Sequence, residues 1–298
     1  MFDRDGLDVA AIALHKERGE SLATFPGSEA IATELAIELV AADVVADATP
    51  SRPGDAEAAL LRARAALRSG AQLALAGKNA VALAAPELLL GSNRGRVGVR
   101  ATFGGAGDQL LTELPELRVN CREIALVGNV TTTVIVNAIE AGASVDEGVA
   151  EAERRGLLEP DRSLDLDGVD AATKLVAVHG AVFGERWLAS LDPLAVERQS
   201  VRELDADELR ARRRRGHTTR LVARCARDGK PRVAFEEVPV GAPLAAPADR
   251  VVYTFDLPAG VRVHTGLAVG YEKTAAALLA DCRALVSRSG TADEGVQR

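Results

Sequence analysis

No run of about 18 apolar residues occurs in the 298-residue sequence, so no segment of it reads as a membrane-spanning helix. Met1-Phe2-Asp3-Arg4-Asp5 has neither the basic start nor the apolar stretch of a signal peptide, and secretion is not expected. Cysteine is scarce. Cys121, Cys225 and Cys282 lie far apart with no Cys-x-x-Cys spacing, which argues against a disulfide framework or a zinc site and makes all three small buried hydrophobes. The four histidines, His15, His179, His217 and His264, have no partner at i,i+4, so none reads as a metal ligand and no metal is expected. His179 falls in an apolar stretch and reads as a packed core residue. Positive charge is not in excess: 36 Lys and Arg stand against 43 Asp and Glu, and the net charge of −7 gives nucleic acid no general reason to bind. The one basic run, Arg210-Ala211-Arg212-Arg213-Arg214-Arg215, follows Glu203, Asp205, Asp207 and Glu208 with no interleaved aromatic residue. A solvated, internally ion-paired helix face is expected there. The default expectation is a soluble cytoplasmic protein.

What is present points to an α/β chain. Asp43-Val44-Val45-Ala46-Asp47-Ala48-Thr49-Pro50 reads as a short buried strand ended by a turn, with Asp55 capping a helix that runs to Ser69 and stops at Gly70. Ala71-Gln72-Leu73-Ala74-Leu75-Ala76 is the next strand, so the three elements form a right-handed βαβ unit with parallel strands. After residue 95 the pattern shifts to strands over 97–103, 123–127, 220–226, 232–240, 250–255 and 261–265, suited to an antiparallel sheet. Helices are expected over 132–141, 144–155 and 168–183, the middle one opened by the capping box Ser144-Val145-Asp146-Glu147. A last helix is expected over 273–286, followed by a disordered polar tail.

The most informative stretch begins at Gly156 and ends at Lys174. Glu159, Asp161, Asp165 and Asp167 crowd a loop, and a helix then opens with Asp170 and Lys174 four apart on one face, the acid on the favourable N-terminal side. Carboxylates can grip the ammonium of an amino-acid substrate while an oriented lysine handles a proton at its hydroxyl or carbonyl.

This segment resembles the active-site segment of homoserine dehydrogenases, and other motifs follow the family in order. Thr49-Pro50 resembles its turn beside the nicotinamide cofactor, Ala76-Gly77-Lys78 its Ala-Asn-Lys, and Asn129-Val130-Thr131-Thr132-Thr133 its pocket motif Asn-Gly-Thr-Thr-Asn. Gly266-Leu267-Ala268-Val269-Gly270 with Thr274-Ala275 resembles the glycine-rich turn before the last helix. The resemblance, from Asp5 to Asp281, implies interconversion of homoserine and aspartate 4-semialdehyde with NAD(P). It implies Lys174, Asp170 and Lys78 as catalytic residues, Glu159, Asp165, Thr131 and Asn129 as substrate-binding residues, and Thr49, Pro50, Gly270 and Thr274 as cofactor-binding residues. A homodimer paired through the second sheet is implied as well.

A dinucleotide fold needs Gly-x-Gly-x-x-Gly between its first strand and helix, and this sequence contains no such loop. Met1 aligns beyond the family's first strand, helix and second strand, so the expected fold is a truncated Rossmann-type parallel sheet plus an α+β catalytic and dimerisation domain. The boundaries are 1–95 for the incomplete nucleotide-binding part, 96–270 for the catalytic part, 271–287 for a helix returning to the first part, and 288–298 for the tail. Arg100 stands where the resemblance puts a sodium-binding glutamate, and a fixed guanidinium excludes a cation. Val130 in place of a glycine and Leu157 in place of an aromatic residue alter the pocket. A dinucleotide-independent relative using the lysines and carboxylates for proton transfer, and a silent partner subunit, therefore remain as alternatives.

Overall fold

In the first third of the chain, short apolar segments alternate with helices apolar on one side, a pattern that folds strands edge to edge with helices laid over them. The computed structural model describes residues 6–27, 31–159, 161–184, 192–268 and 270–293. Two helices, Val9–Glu17 (α1) and Thr33–Val40 (α2), precede the strand Val44–Asp47 (β1). The helix Ala56–Arg68 (α3), the strand Gln72–Leu75 (β2), the helix Asn79–Leu89 (α4) and the strand Val97–Gly98 (β3) follow. β1 and β2 pair in parallel with Val44 opposite Gln72 and Asp47 opposite Leu75, and β3 adds in parallel beside β2.

The expected strand over 97–103 is corrected by this pairing: only Val97 and Gly98 are extended, and they belong to the first sheet. The chain then turns because Thr102 Oγ1 donates back to the carbonyls of Leu75 (2.9 Å) and Gly77 (3.2 Å), pinning the segment over the end of β2. Asp55 precedes α3 but makes no side-chain capping bond, contrary to expectation.

A second sheet follows from the helix Gly107–Asn120 (α5) and the strand Glu123–Val127 (β4), then the helices Val130–Glu140 (α6), Val145–Arg154 (α7), Ser163–Leu166 (α8) and Val169–Phe183 (α9). Its remaining parts are Glu197–Arg198 (β5), the helix Ala206–Arg214 (α10), His217–Ala226 (β6), Arg232–Pro239 (β7), Arg250–Leu257 (β8) and Gly260–Leu267 (β9). The strand order is β5-β7-β6-β4-β8-β9, antiparallel except for β5, which joins β7 in parallel. The Ser144 capping box is formed as expected. The final helix, Tyr271–Asp293 (α11), continues past the expected end at 286, so the tail is helical through Asp293 and only 294–298 lie outside the described residues. Cys282 is half-buried rather than buried.

α9 organises the interior. Its apolar run Leu175-Val176-Ala177-Val178 is buried, and one continuous core joins α3, α4, α5 and α9 to β2, β4, β6 and β8. A helix enclosed this way must present its first turn to whatever space the neighbouring elements leave.

Where β9 leaves the sheet it touches the turn before α5: a Cβ on Gly266 would lie 2.1 Å from the carbonyl carbon and oxygen of Gly105. Backbone cannot give way as a flexible side chain can. Gly266→Ala is expected to cost about 3 kcal/mol, read as a lower midpoint in denaturant at unchanged m-value.

Candidate active site

Three helix N-termini converge on one space, and each carries a polar residue at its start. Lys78 is the residue before α4, Asn129 caps α6, and Asp170 lies in the first turn of α9. Asp170 accepts from Lys174 Nζ through Oδ2 at 2.7 Å and pairs with Lys78 Nζ through Oδ1 at 3.3 Å. The i,i+4 pair of the sequence is thus one arm of a two-lysine clamp on a single carboxylate. Burial alone would raise the Asp170 carboxyl, but the Lys174 and Lys78 ammonium groups hold it well below the usual carboxylate range. Lys174 Nζ also donates to the Gly128 carbonyl at 2.6 Å. Two of its three donors are committed, which leaves one for an oxygen brought into the space.

The acid side is built on Asn129. Its Oδ1 accepts from Thr132 N at 2.8 Å as the α6 cap, and its Nδ2 donates to Asp165 Oδ1 at 2.9 Å. Glu159 N donates to the other Asp165 oxygen at 3.2 Å, and Thr131 Oγ1 donates to the Leu157 carbonyl at 2.9 Å. Asp165 is buried, and that burial, with repulsion from Asp170, keeps its carboxyl above the ordinary value despite the two hydrogen bonds. Glu159 is raised too, by burial and then by Asp165 and Asp170. Two carboxylates short of positive charge lie beside two lysines engaged by a third. Such a space suits a ligand with an ammonium at one end and a hydroxyl or carbonyl at the other.

Of the residues singled out in the sequence, Lys78, Asp170, Lys174, Glu159, Asp165, Asn129 and Thr131 come together. Thr49 and Pro50 lie at the carboxyl end of β1, beside a hollow that Asp47, Ser51, Gly77 and Asn79 also line. Lys78 N donates to Ser51 Oγ at 2.8 Å and Asn79 Nδ2 to the Arg52 carbonyl at 2.6 Å, tying this turn to the clamp. Gly270 immediately precedes α11 and Thr274 lies in its first turn, both exposed, and among the described residues no hydrogen bond joins them to the clamp. Val269 lies outside the described residues, as does Pro160 of the acid loop.

Sequence reasoning missed the Gly128 carbonyl, although a Gly-Asn pair directly after an apolar strand could have flagged it. It also missed the Asp47 carboxylate, held by Thr49 (2.6 Å) and Arg62 (3.0 Å) at the end of β1. Arg100 donates through its backbone N to Asp281 (2.8 Å), pairs with Asp281 again through its guanidinium, and reaches Asp108 at 2.6 Å. Among the described residues no group of His, Cys, Asp or Glu could hold a metal ion.

His179, later on α9, is buried edge-on to Phe183 with a centroid separation of 4.9 Å, and its Nδ1 has no hydrogen-bond partner among the described residues. Burial pushes its pKa from 6.5 down to about 4. The unfolded chain therefore binds a proton that the folded chain refuses, so this residue destabilises the fold as pH falls from about 6.5 to 4 and costs nothing above. The loss should approach about 3 kcal/mol. His179→Leu is expected to flatten that part of the stability–pH curve, measured by denaturant unfolding between pH 4 and 7.

The family profile described as homoserine dehydrogenase matches residues 112–282. The NAD(+)-dependent homoserine dehydrogenase of Pseudomonas canavaninivorans is 27% identical, over 94% of this chain and 82% of the relative. The homoserine dehydrogenase of Methanocaldococcus jannaschii is 25% identical over 94% and 84%. A hyperthermophilic archaeal homoserine dehydrogenase solved in complex with NADPH shares the fold, with a TM-score of 0.73 at 23% identity over 96% of this chain and 87% of that one.

Proposed function

This chain belongs to the homoserine dehydrogenase family, and we propose that the Lys78–Asp170–Lys174 clamp and the Glu159–Asp165 pair are the site at which it oxidises homoserine and reduces aspartate 4-semialdehyde. The carrying observation is a single carboxylate shared by two lysines, 2.7 and 3.3 Å away, next to two carboxylates whose charge is not balanced. Glu159 and Asp165 receive the substrate ammonium. The substrate hydroxyl lies at the open donor position of Lys174.

A nicotinamide cofactor supplies the hydride acceptor. The residues proposed to border its reactive end are Thr49 and Pro50, which lie at the carboxyl end of β1, where ligands of parallel sheets bind, and are tied to Lys78 through the Ser51 hydroxyl. Gly270 and Thr274 at the start of α11 are proposed to border it from the other side. Oxidising the carbon requires its hydroxyl to lose a proton, which Lys174 acting as the neutral amine takes on its lone pair as the hydride leaves; in the reduction its ammonium returns that proton to the oxygen. Asp170 fixes the direction of Lys174, and Lys78 steadies the negative charge that develops on the oxygen. Thr131 and Asn129 hold the acid side in shape. The alternative of a dinucleotide-independent proton-transfer enzyme is not favoured by the relatives. No helix among the described residues is long and apolar enough to cross a membrane. Homodimer formation through the second sheet belongs to the same proposal.

Titration of the protein with NADH and NADPH, followed by nicotinamide fluorescence, tests the cofactor half of this proposal. Saturable binding of at least one, strengthened by homoserine, is expected; no signal change up to millimolar cofactor would overturn it.

A further inference from the structure

The acid segment carries the groups assigned to the substrate ammonium; Asn129 and Thr131 hold its near side, but its regular structure is the single turn α8, and something must hold its far end at Asp167. Arg198 does so with backbone contacts: Nε donates to the Asp167 carbonyl at 3.2 Å, while Nη1 donates to the carbonyls of Pro193 (2.9 Å), Leu194 (2.8 Å) and Val196 (2.8 Å). Among the described residues no carboxylate lies within ion-pair distance of this guanidinium. A planar fork in a nest of carbonyls fixes their mutual positions, which an ammonium on a flexible stem does not. Ser200 Oγ adds a bond to Asp167 Oδ1 at 2.7 Å, and a Cβ placed on Gly168, at φ +70°, would lie 3.3 Å from Val233 and 3.6 Å from the Gln199 carbonyl oxygen. On its far side the segment 193–196 reaches the two helices that carry the lysines: Pro193 and Leu194 line a hollow with Asn79, the neighbour of Lys78, and with Thr173, the neighbour of Lys174.

We infer that Arg198, with Ser200, is a positioning residue that sets the distance between the acid segment and the lysine clamp, and so the length of amino-acid substrate the site accepts. This rests on the assignment of Glu159 and Asp165 to the substrate ammonium. Neither residue touches the reacting atoms. Their loss therefore weakens substrate binding rather than chemistry.

The test compares Arg198→Ala, Arg198→Lys and Ser200→Ala with the wild type by steady-state kinetics and by limited trypsin cleavage at Arg162, an exposed arginine on the acid segment. Arg198→Ala is expected to raise the homoserine KM by about tenfold with kcat and the cofactor KM within about twofold, the loss of roughly one charge-assisted hydrogen bond. Lysine should restore only part of the loss, and Ser200→Ala should raise the KM by about threefold. Cleavage after Arg162 should quicken in the same order, because local opening of the segment exposes that bond. Unchanged homoserine KM in all three variants, unchanged cleavage at Arg162, or a parallel fall in kcat and both affinities would overturn the inference. If the wild type itself does not oxidise homoserine, the reaction assignment fails, and the cleavage ratios alone then decide whether Arg198 holds the segment.

Discussion

Lys174→Met is expected to lower kcat for homoserine oxidation by about a thousandfold, the loss of a positioned proton-transfer group, with the homoserine KM changed far less. Methionine is chosen because its unbranched stem fills most of the lysine's volume along the Gly128–Asp170 wall. Asp170 keeps Lys78 at 3.3 Å, so its charge is not stranded. The fold should survive, as circular dichroism and denaturant unfolding would show. A variant that keeps kcat within tenfold of wild type would remove Lys174 from the chemistry. Lys78→Met should have the smaller effect of the two, because its ammonium lies farther from the shared carboxylate than that of Lys174.

The second large effect belongs to the acid side. Asp165→Asn keeps the shape of the side chain but removes its charge, and is expected to raise the homoserine KM by about a hundredfold, equivalent to ~3 kcal/mol, with a smaller change in kcat. The pH profile carries the same information. Only the carboxylate attracts the substrate ammonium, and the Asp165 and Glu159 carboxyls stand above their ordinary values. As pH falls, protonation of these groups should reduce kcat/KM at a pH higher than ordinary carboxylates would give. The Asp165→Asn variant should lose part of that acid limb, and an unaltered limb would mean that another group sets it.

How much of this site could be read from the sequence follows from how far apart its parts lie along the chain. The Asp170–Lys174 pair was legible because four residues on a helix make a contact whatever the rest of the chain does. The Asn129 cap is just as local, yet the sequence offered Asn129 only through the resemblance of its pocket motif, and the helix was expected to begin at 132 rather than at Val130. That Lys78 would share the Asp170 carboxylate was not legible, since only the packing of α4 on α9 brings those elements together; the resemblance to known enzymes suggested the role, not the contact. The sheet assignments failed where local patterns competed with tertiary ones. Val97, Val99, Ala101 and Phe103 alternate like a strand, yet only the first two positions of that stretch found a partner, alongside β2, before Thr102 turned the chain. α5 went unseen because Pro115 interrupts its pattern and Gly107 opens it, while both are tolerated in a helix whose Leu110, Leu114 and Leu117 are buried. β5 is two residues long and carries no periodicity at all. The basic run of α10 behaves as its neighbours suggested: Arg212 pairs with Glu208 at 3.0 Å, and Arg215 reaches Glu208 and Glu237 at 3.3 Å.

The account as a whole stands on one reaction. The most direct measurement is homoserine-dependent reduction of NAD+ and of NADP+ by the 298-residue protein, followed by nicotinamide absorbance, with Lys174→Met run beside it. Turnover that requires homoserine, saturates with it and all but disappears in the variant is the predicted result. No reduction of either cofactor, or equal rates with and without Lys174, would contradict the account.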